Sequence, residues 1–397
     1  MSILSNRVIN MVESATLAMA KQSRMLKEQG IDIVSLSLGE PDFDTPQNIK
    51  DAAIRALNQG DTKYTPVSGT KELREVVCAK FKRENNLDYS VENIVVSNGA
   101  KQSIANACLA LLNPGDEIIL PSPYWISYAS IAELADAKVI EIKATVENDF
   151  KLSAEEIEKH ITPKTKVILY SSPCNPTGSV YNYLELKSFA DMLEKYPQIH
   201  IISDEIYEHL NYVGSHYSLA QFPSIKDRVI VVNGFSKAYS MTGWRLGYMA
   251  ATKEIATACD KIQGQITSGA CSFNQAAAVE ALNGSQEKRN EMVQAFKKRR
   301  ELVLKRIAEL EGIKCPSPDG AFYVFPDISS YFGKSYKEYS INNSNDMALY
   351  LLNVAHVATV GGDSFGDDRC IRISFASSEE ALNKAFDNIK VALGKLS

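Results

Sequence analysis

The chain has 397 residues, a hydrophobic share of 45% and a formal net charge of −5, which is typical of a globular protein with a large core and about two domains. The acidic balance gives no basic footprint for nucleic acid. With neither an apolar run of about 18 residues nor a leader-like start, the sequence predicts a cytoplasmic protein that does not engage a membrane. Seven scattered cysteines without metal-ligand spacing predict free thiols and no metal site.

The first part of the chain combines a helical and an extended pattern. Residues 7–30 show helical apolar spacing, with Gly30 suited to the position after the helix end and Ser14 a candidate N-cap. Residues 31–38 indicate a strand that stops at Gly39, where a glycine allows close approach of the backbone to a ligand. Helices are then predicted at 47–58 and 70–84.

A βα rhythm follows from residue 93 onward. Short apolar runs alternate with helical patterns or turns, and most separations suit parallel crossover connections. We therefore predict an α/β fold with one large, mainly parallel sheet covered by helices on both faces. Its seven expected strands are Ile94–Val96, Glu117–Leu120, Val139–Ile142, Val167–Tyr170, Ile199–Ile202, Val229–Val232 and Arg245–Ala251.

The rhythm ends in a mixed C-terminal part. Residues 273–311 are predicted to be helical with a break at Asn283-Gly284, and the charged run 297–300 is interpreted as a solvated helix face. Strands at 321–325, 357–360 and 370–375 and a closing helix at about 378–394 indicate a smaller α+β domain. We expect residues 47–285 to form the large domain, and residues 1–46 and 286–397 the small one.

Several distinctive residues directly follow the predicted strands, where open α/β sheets bind ligands. Lys237 comes just after a buried strand, and an amine that is partly desolvated there has a lowered pKa and reacts readily with carbonyl carbon. Ser236 and Arg245 suit an anionic group such as phosphate. The alternative interpretation of Lys237 is an ordinary loop lysine whose ammonium reaches the solvent.

Other strand ends carry further candidates, each with a plain structural alternative. Gly99 opens a helix whose free N–H groups could bind an anion, or it only makes a turn. Trp125 offers a face for stacking, or fills the core. Asp204 ends an apolar strand, where a carboxylate needs a cation. Asn175 lies in an Asn-Pro turn, and Arg372 suits a substrate carboxylate unless an internal salt bridge satisfies it.

Residues 236–247, Ser-Lys-Ala-Tyr-Ser-Met-Thr-Gly-Trp-Arg-Leu-Gly, resemble the pyridoxal-phosphate attachment signature of class I aminotransferases. Matching positions occur in order along nearly the whole chain. Residues 39–46 and 204–210 are most similar to bacterial aspartate aminotransferases of the aspartate/prephenate subgroup. The resemblance implies the pyridoxal-phosphate-dependent transferase fold of type I, and a homodimer with shared active sites.

The resemblance also implies a role for each matching residue. Lys237 would be the catalytic residue, carrying the cofactor as a Schiff base and shuttling a proton. The other cofactor-binding residues would be Gly99, Ala100, Lys101, Trp125, Asn175, Asp204, Tyr207, Ser236, Arg245 and, from the neighbouring subunit, Tyr64. Substrate would contact Arg372 through its α-carboxylate, Lys101 through its distal carboxylate, and also Gly39, Trp125, Asn175, Ser14 and Thr16.

The implied reaction is ping-pong transfer of an amino group from L-aspartate to 2-oxoglutarate, giving oxaloacetate and L-glutamate. An aminotransferase with a broader range, including aromatic amino acids or prephenate, is the alternative. Val12 stands where prephenate-using members tend to have a basic residue, which argues against prephenate. One further rival is β-elimination on the same fold, which would release ammonia. Another is a non-catalytic regulatory protein, but such proteins often carry a nucleic-acid-binding module, and no segment here has that composition.

Overall fold

A seven-stranded sheet forms the centre of the computed structural model, which describes residues 3–11 and 14–397. The strands of the described chain are β1 Val34–Ser35, β2 Ile94–Ser97, β3 Glu117–Ser122, β4 Lys138–Lys143, β5 Thr165–Ser171, β6 His200–Asp204, β7 Val229–Gly234, β8 Gly247–Ala250, β9 Tyr323–Val324, β10 Ser335–Tyr336, β11 Tyr339–Ser340, β12 Val357–Ala358, β13 Val360–Gly361 and β14 Ile371–Ser374. Its α-helices are α1 Asn6–Asn10, α2 Ala15–Glu28, α3 Gln47–Asn58, α4 Lys71–Asn85, α5 Ala100–Leu111, α6 Ser127–Leu134, α7 Ala154–Glu158, α8 Tyr183–Leu193, α9 Lys253–Ile266, α10 Ser272–Asn283, α11 Glu287–Ile307, α12 Ser344–Tyr350 and α13 Glu379–Leu393.

The large sheet has the strand order β2-β8-β7-β6-β5-β3-β4. Only β8 runs antiparallel to its neighbours, so the predicted mainly parallel sheet is confirmed and all seven expected strands are present. The last of these strands was predicted to begin at Arg245, but in the structure it begins at Gly247. Arg245 has a φ of +55°, a left-handed conformation that cannot continue into an extended strand.

Helices cover both faces of this sheet, which explains why its strands are continuous apolar runs. Ile119 and its same-face neighbours pack against α3, α4, α8 and α10. Ile118 and Leu120 point the other way and pack against α5, α6 and α9. No described helix combines the length and apolar character that a membrane span requires.

The C-terminal part builds a second hydrophobic core. Strands β13, β14 and β9 form an antiparallel sheet, and β1 pairs in parallel with β12. The strand predicted over residues 31–38 shrinks to Val34–Ser35, because its partner β12 is itself only two residues long. Helices α11 and α13 pack on the same core. The domain boundaries at residues 46 and 285 stay a prediction.

The predicted N-terminal helix is divided in the structure. Helix α1 ends at Asn10 and α2 begins at Ala15, while Val12 lies outside the described residues. Gly30 follows Gln29, the C-cap residue of α2, and has a φ of +85°, as its predicted position requires. Ser14 occupies the N-cap position of α2, but its hydroxyl makes no capping hydrogen bond.

A buried polar cluster anchors the turn that follows β6. The Glu208 carboxylate pairs with the fully buried ammonium of Lys80 and accepts a hydrogen bond from Asn85 Nδ2 at 2.9 Å. Burial acts to raise the pKa of Glu208, but Lys80, His209, His216 and the Asn85 hydrogen bond together outweigh it and hold that pKa below its ordinary value. The cluster therefore fixes the backbone that carries Asp204 and Tyr207.

Candidate active site

A cavity of about 270 Å³ lies at the carboxyl ends of β5, β6 and β7, where the sequence predicted a site. Most of the predicted residues line it, although they come from segments spread over the whole chain. These are Ser14, Thr16, Gly39, Ala100, Lys101, Trp125, Asn175, Asp204, Tyr207, Ser236, Lys237, Arg245 and Arg372.

Two predicted residues do not line the cavity. Gly99 lies behind it with a φ of +86°, and a Cβ there would come within 2.5 Å of Arg245 Nη2. Gly99 therefore leaves the space that the Arg245 guanidinium needs beside the N-terminus of α5. Tyr64 is 98% exposed and stands outside the cavity of its own chain.

The amine of Lys237 is enclosed in the cavity, and it donates a hydrogen bond to the Gly39 carbonyl oxygen. Burial, reinforced by the positive charge of Arg372, lowers the pKa of Lys237 to about 8. At neutral pH a useful fraction of this amine is therefore unprotonated. An ordinary loop lysine would be almost fully charged.

Asp204 is a buried carboxylate for which the described residues provide no cationic partner. It is 4% exposed and accepts hydrogen bonds from Tyr128 Oη at 2.6 Å and from the Ile206 N–H at 3.2 Å. In the described part of the chain, no Lys, Arg or His nitrogen lies within 4.0 Å of it. Burial raises the pKa of Asp204 to about 6, and the Tyr128 hydrogen bond partly opposes that shift. The ionised Asp204 carboxylate can therefore pair with a cationic atom of a ligand.

Arg372 is a buried cation that pairs with no carboxylate in the described part of the chain. It is 1% exposed, and it donates to Asn175 Oδ1 at 3.0 Å and to the Ser37 carbonyl oxygen at 2.5 Å. Its guanidinium lies 4.7 and 4.8 Å from the ring centroids of Tyr323 and Phe365. No described carboxylate forms an ion pair with it, so the internal salt bridge considered from the sequence does not occur among these residues.

Lys101 lies at another wall of the cavity. Its Nζ is 4.7 Å from the centroid of the Trp125 ring, in a cation–π contact. Partial burial, together with the nearby Arg245, lowers the pKa of Lys101. Thr16 Oγ1 lies 3.5 Å from Arg372 Nη2, so the start of α2 closes over the buried guanidinium.

Seven lining residues were not predicted from the sequence: Leu17, Ser127, Tyr128, Ser171, Ile206, Thr242 and Tyr323. Ser171 ends β5 directly beside Asp204, and its strand-end position was a usable signal. Thr242 lies inside the recognised signature. Tyr128 and Tyr323 had no such signal, because an aromatic residue within an apolar segment is indistinguishable from core. In the structure Tyr323 Oη is 2.8 Å from Tyr207 Oη.

A family model described as aminotransferase class I and II matches residues 31–389. The chain belongs to this family. It is 47% identical, over 98% of its length and 82% of the other chain, to the bifunctional aspartate aminotransferase and glutamate/aspartate-prephenate aminotransferase of Petunia hybrida. The aspartate aminotransferase structure from Rhizobium meliloti superposes with a TM-score of 0.96 at 39% identity over 100% of both chains. That from Thermus thermophilus with maleate gives 0.93 at 39% identity, over 99% of this chain and 100% of the other.

Aminotransferases of this family use pyridoxal phosphate, and the donor set of this cavity fits that cofactor. The N–H groups at the start of α5, the Ser236 hydroxyl and the Arg245 guanidinium suit a phosphate. Asp204 suits a protonated ring nitrogen, and Trp125 offers an aromatic face. The Asn175 side-chain nitrogen has no hydrogen-bond partner among the described residues and is free to donate to an oxygen.

Tyr128 provides a pH-dependent test of the Asp204 environment. Its hydroxyl stabilises the charged carboxylate, so Tyr128→Phe should raise the Asp204 pKa further and favour the neutral acid. If the ionised Asp204 is needed, activity is lost as pH falls through this pKa, and the acid limb of kcat/KM should move up by about one pH unit. The measurement is kcat/KM between about pH 5 and 9.

The control for this change is Tyr124→Phe, because the Tyr124 hydroxyl donates to Glu141 Oε2 at 3.1 Å and does not contact Asp204. This variant should keep the acid limb of the wild type. An unchanged acid limb in Tyr128→Phe would show that Tyr128 does not influence the ionisation of Asp204.

Proposed function

We propose that this aminotransferase transfers the amino group of L-aspartate to 2-oxoglutarate, giving oxaloacetate and L-glutamate in a ping-pong cycle. The observation that supports this best is the buried Arg372, a fork-shaped cation that pairs with no carboxylate among the described residues. It shares one cavity with the amine of Lys237 and the ammonium of Lys101. Such a site suits a substrate with one amino group and two carboxylates.

Three residues of the chain have distinct roles in this proposed reaction. Arg372 binds the α-carboxylate bidentately, and its orientation is set by Ser37 and Asn175. Lys101 pairs with the distal carboxylate. The amine of Lys237 accepts the proton from the substrate Cα and later returns it, a role for which a pKa of about 8 is well matched. Pyridoxal phosphate, when bound, supplies the electron sink for the charge that develops at Cα.

Local charge explains how a chain with a net charge of −5 accepts anionic substrates. Lys101, Lys237, Arg245 and Arg372 all face the cavity, whereas among the described lining residues Asp204 is the acidic one. Because the cavity walls exclude much of the solvent, these charges act at short range with little screening. Both partner substrates are dicarboxylates, so one site can serve the two half-reactions in turn.

A broader substrate range is the alternative, and one observation favours it. The Petunia relative is named for prephenate as well as aspartate. The sequence argument against prephenate rests on Val12, which lies outside the described residues. Replacing 2-oxoglutarate by prephenate as amino acceptor tests this alternative directly.

The test of the proposed function is a half-reaction. The visible spectrum of the purified enzyme with its cofactor is recorded before and after L-aspartate is added without any oxo acid. The cofactor band should change, and about one oxaloacetate should form per active site with no release of ammonia. An unchanged band would refute the aspartate assignment, and free ammonia would favour β-elimination.

We also propose that the enzyme acts as a cytoplasmic homodimer in which Tyr64 completes the phosphate site of the neighbouring subunit. The support is the position of this side chain, which is 98% exposed and outside its own cavity. A phenol held by its own chain at a phosphate would be enclosed. A symmetric pair would place two such tyrosines at two sites.

A mixed dimer tests this shared site. Lys237→Ala and Tyr64→Ala chains, carrying different affinity tags, are produced together and the hybrid is isolated. Activity is expected to recover to about half of the wild-type value, because one hybrid site then has both an intact Lys237 and an intact Tyr64. The two parent homodimers are the controls. A hybrid no more active than the parents' mean would place Tyr64 in its own chain's site.

A further inference from the structure

The charged run at 297–300 does not form the solvated face that the sequence suggested. Lys297 and Lys298 are exposed, but Arg299 is only 7% exposed. Its guanidinium pairs bidentately with Asp42, at 2.6 and 2.9 Å, and stacks 4.8 Å from the centroid of the Phe43 ring. Two parallel, partly buried hydrogen bonds of this kind fix geometry as well as charge.

Asp42 belongs to the 37–45 loop, which runs along the active-site cavity. The Ser37 carbonyl oxygen accepts a hydrogen bond from Arg372 at 2.5 Å. The Gly39 carbonyl oxygen accepts one from the amine of Lys237, and Glu40 accepts one from Thr242. This loop therefore touches both groups that are proposed to handle the substrate.

Besides these hydrogen bonds, the Phe43 ring packs edge-on against Phe296, with 5.5 Å between the ring centroids. Residues 37–45 form no helix or strand, and among the described residues their backbone makes no hydrogen bond with another backbone group. Thr45 fixes one end through the Ser240 carbonyl oxygen at 2.6 Å and Trp244 Nε1 at 3.0 Å. Between Thr45 and Gly39, the described residues of the loop make one ion pair, that of Asp42 with Arg299.

We propose that Arg299 is a positioning residue for the reaction. Through Asp42 it holds the 37–45 loop so that the Ser37 carbonyl orients Arg372 and the Gly39 carbonyl orients Lys237. This inference rests on the proposed function. Arg299 touches neither substrate nor cofactor in this scheme, and it acts from helix α11 through the loop.

The test compares Arg299→Met, Arg299→Lys and Asp42→Asn with the wild type. Steady-state kinetics give KM and kcat for aspartate, and an equilibrium titration with maleate, a dicarboxylate without an amino group, gives its Kd. In Arg299→Met, KM and the maleate Kd should rise by about 10- to 100-fold, since misplacing a binding group from a distance has effects of this size. The fall in kcat should be smaller, because Arg372 binds the carboxylate in ground and transition states alike.

The other variants distinguish a positioning role of Arg299 from a general effect on the stability of the fold. Lys298→Met, one residue away and exposed, should leave KM and Kd within about twofold. Arg299→Lys keeps the charge but not the fork, and should fall between wild type and Arg299→Met. Asp42→Asn keeps the shape of a side chain that is 31% exposed, so it should fold and show the same rise.

A folded Arg299→Met or Asp42→Asn enzyme with wild-type KM and Kd would overturn the inference. If Arg299→Met does not fold, Asp42→Asn alone decides. Failure of the proposed function has a different signature, because the wild type itself would not convert aspartate. The KM comparison is then made with the amino acid that it does convert, since every amino acid presents the same α-carboxylate.

Discussion

Replacing Lys237 with alanine is expected to reduce kcat by about 10⁴-fold or more, the upper end of what a positioned acid–base group contributes. Of the lysines that line the cavity, Lys237 is the one whose amine is deeply buried there. Lys101, the other lysine lining it, contacts the Trp125 ring and does not touch the Gly39 carbonyl. No described neighbour is therefore placed to take over the proton transfer.

The decisive measurement combines kinetics with mass spectrometry. After borohydride reduction, the cofactor mass should be found on the peptide containing Lys237 in the wild type and on no peptide in Lys237→Ala. The variant should still bind the cofactor through the phosphate and ring contacts. Lys143→Ala, at an exposed lysine of the edge strand β4, serves as the control. Wild-type turnover by Lys237→Ala, or cofactor mass on Lys101, would refute the assignment.

Replacing Arg372 with alanine is expected to reduce kcat/KM for aspartate by about 30- to 4,000-fold, because truncating one member of a buried charge pair costs 2–5 kcal/mol. The guanidinium is pre-oriented by Ser37, Asn175 and two aromatic faces before any substrate arrives. Little rotamer freedom therefore remains to be lost on binding, so most of the interaction contributes to affinity. Arg372→Lys should show a smaller but clear loss, since an ammonium cannot donate two parallel hydrogen bonds.

The measurement is kcat and KM for both substrates, together with the maleate Kd. The loss should appear mainly in KM and Kd, and the cofactor spectrum should remain that of the wild type. Arg55→Ala, at an exposed position of α3, should change nothing. A kcat/KM within about threefold of wild type in Arg372→Ala would show that the carboxylate binds elsewhere.

The Arg299 and Arg372 variants are both expected to raise KM and the maleate Kd, but for different reasons. Arg372 contacts the carboxylate, whereas Arg299 acts on Ser37, which in turn orients Arg372. If this chain of contacts is correct, Arg299→Met should cause little further rise in KM or in the maleate Kd in an Arg372→Ala background.

The central sheet and its strand ends were determined by local sequence. Strands such as β5 and β7 are buried on both faces, so their apolar runs stand out without any knowledge of the partners. Parallel strands bring their carboxyl ends to one edge, which is why Asn175, Asp204 and Lys237 could be expected to meet although they lie far apart in the chain. The recognised signature then connected Arg245 and Ser236 to the same edge.

Only the tertiary structure decided which polar groups satisfy one another. Arg299 and Asp42 are separated by 257 residues, and the charged run around Arg299 is locally identical to a solvated helix face. Tyr128 resembles core until its hydroxyl is found 2.6 Å from Asp204. The strand expected over residues 31–38 depended on a partner too short to extend it. Hydrophobic periodicity can be read from a short stretch of sequence. The partner of a buried charge, in contrast, can lie hundreds of residues away, and only the tertiary structure shows which group it is.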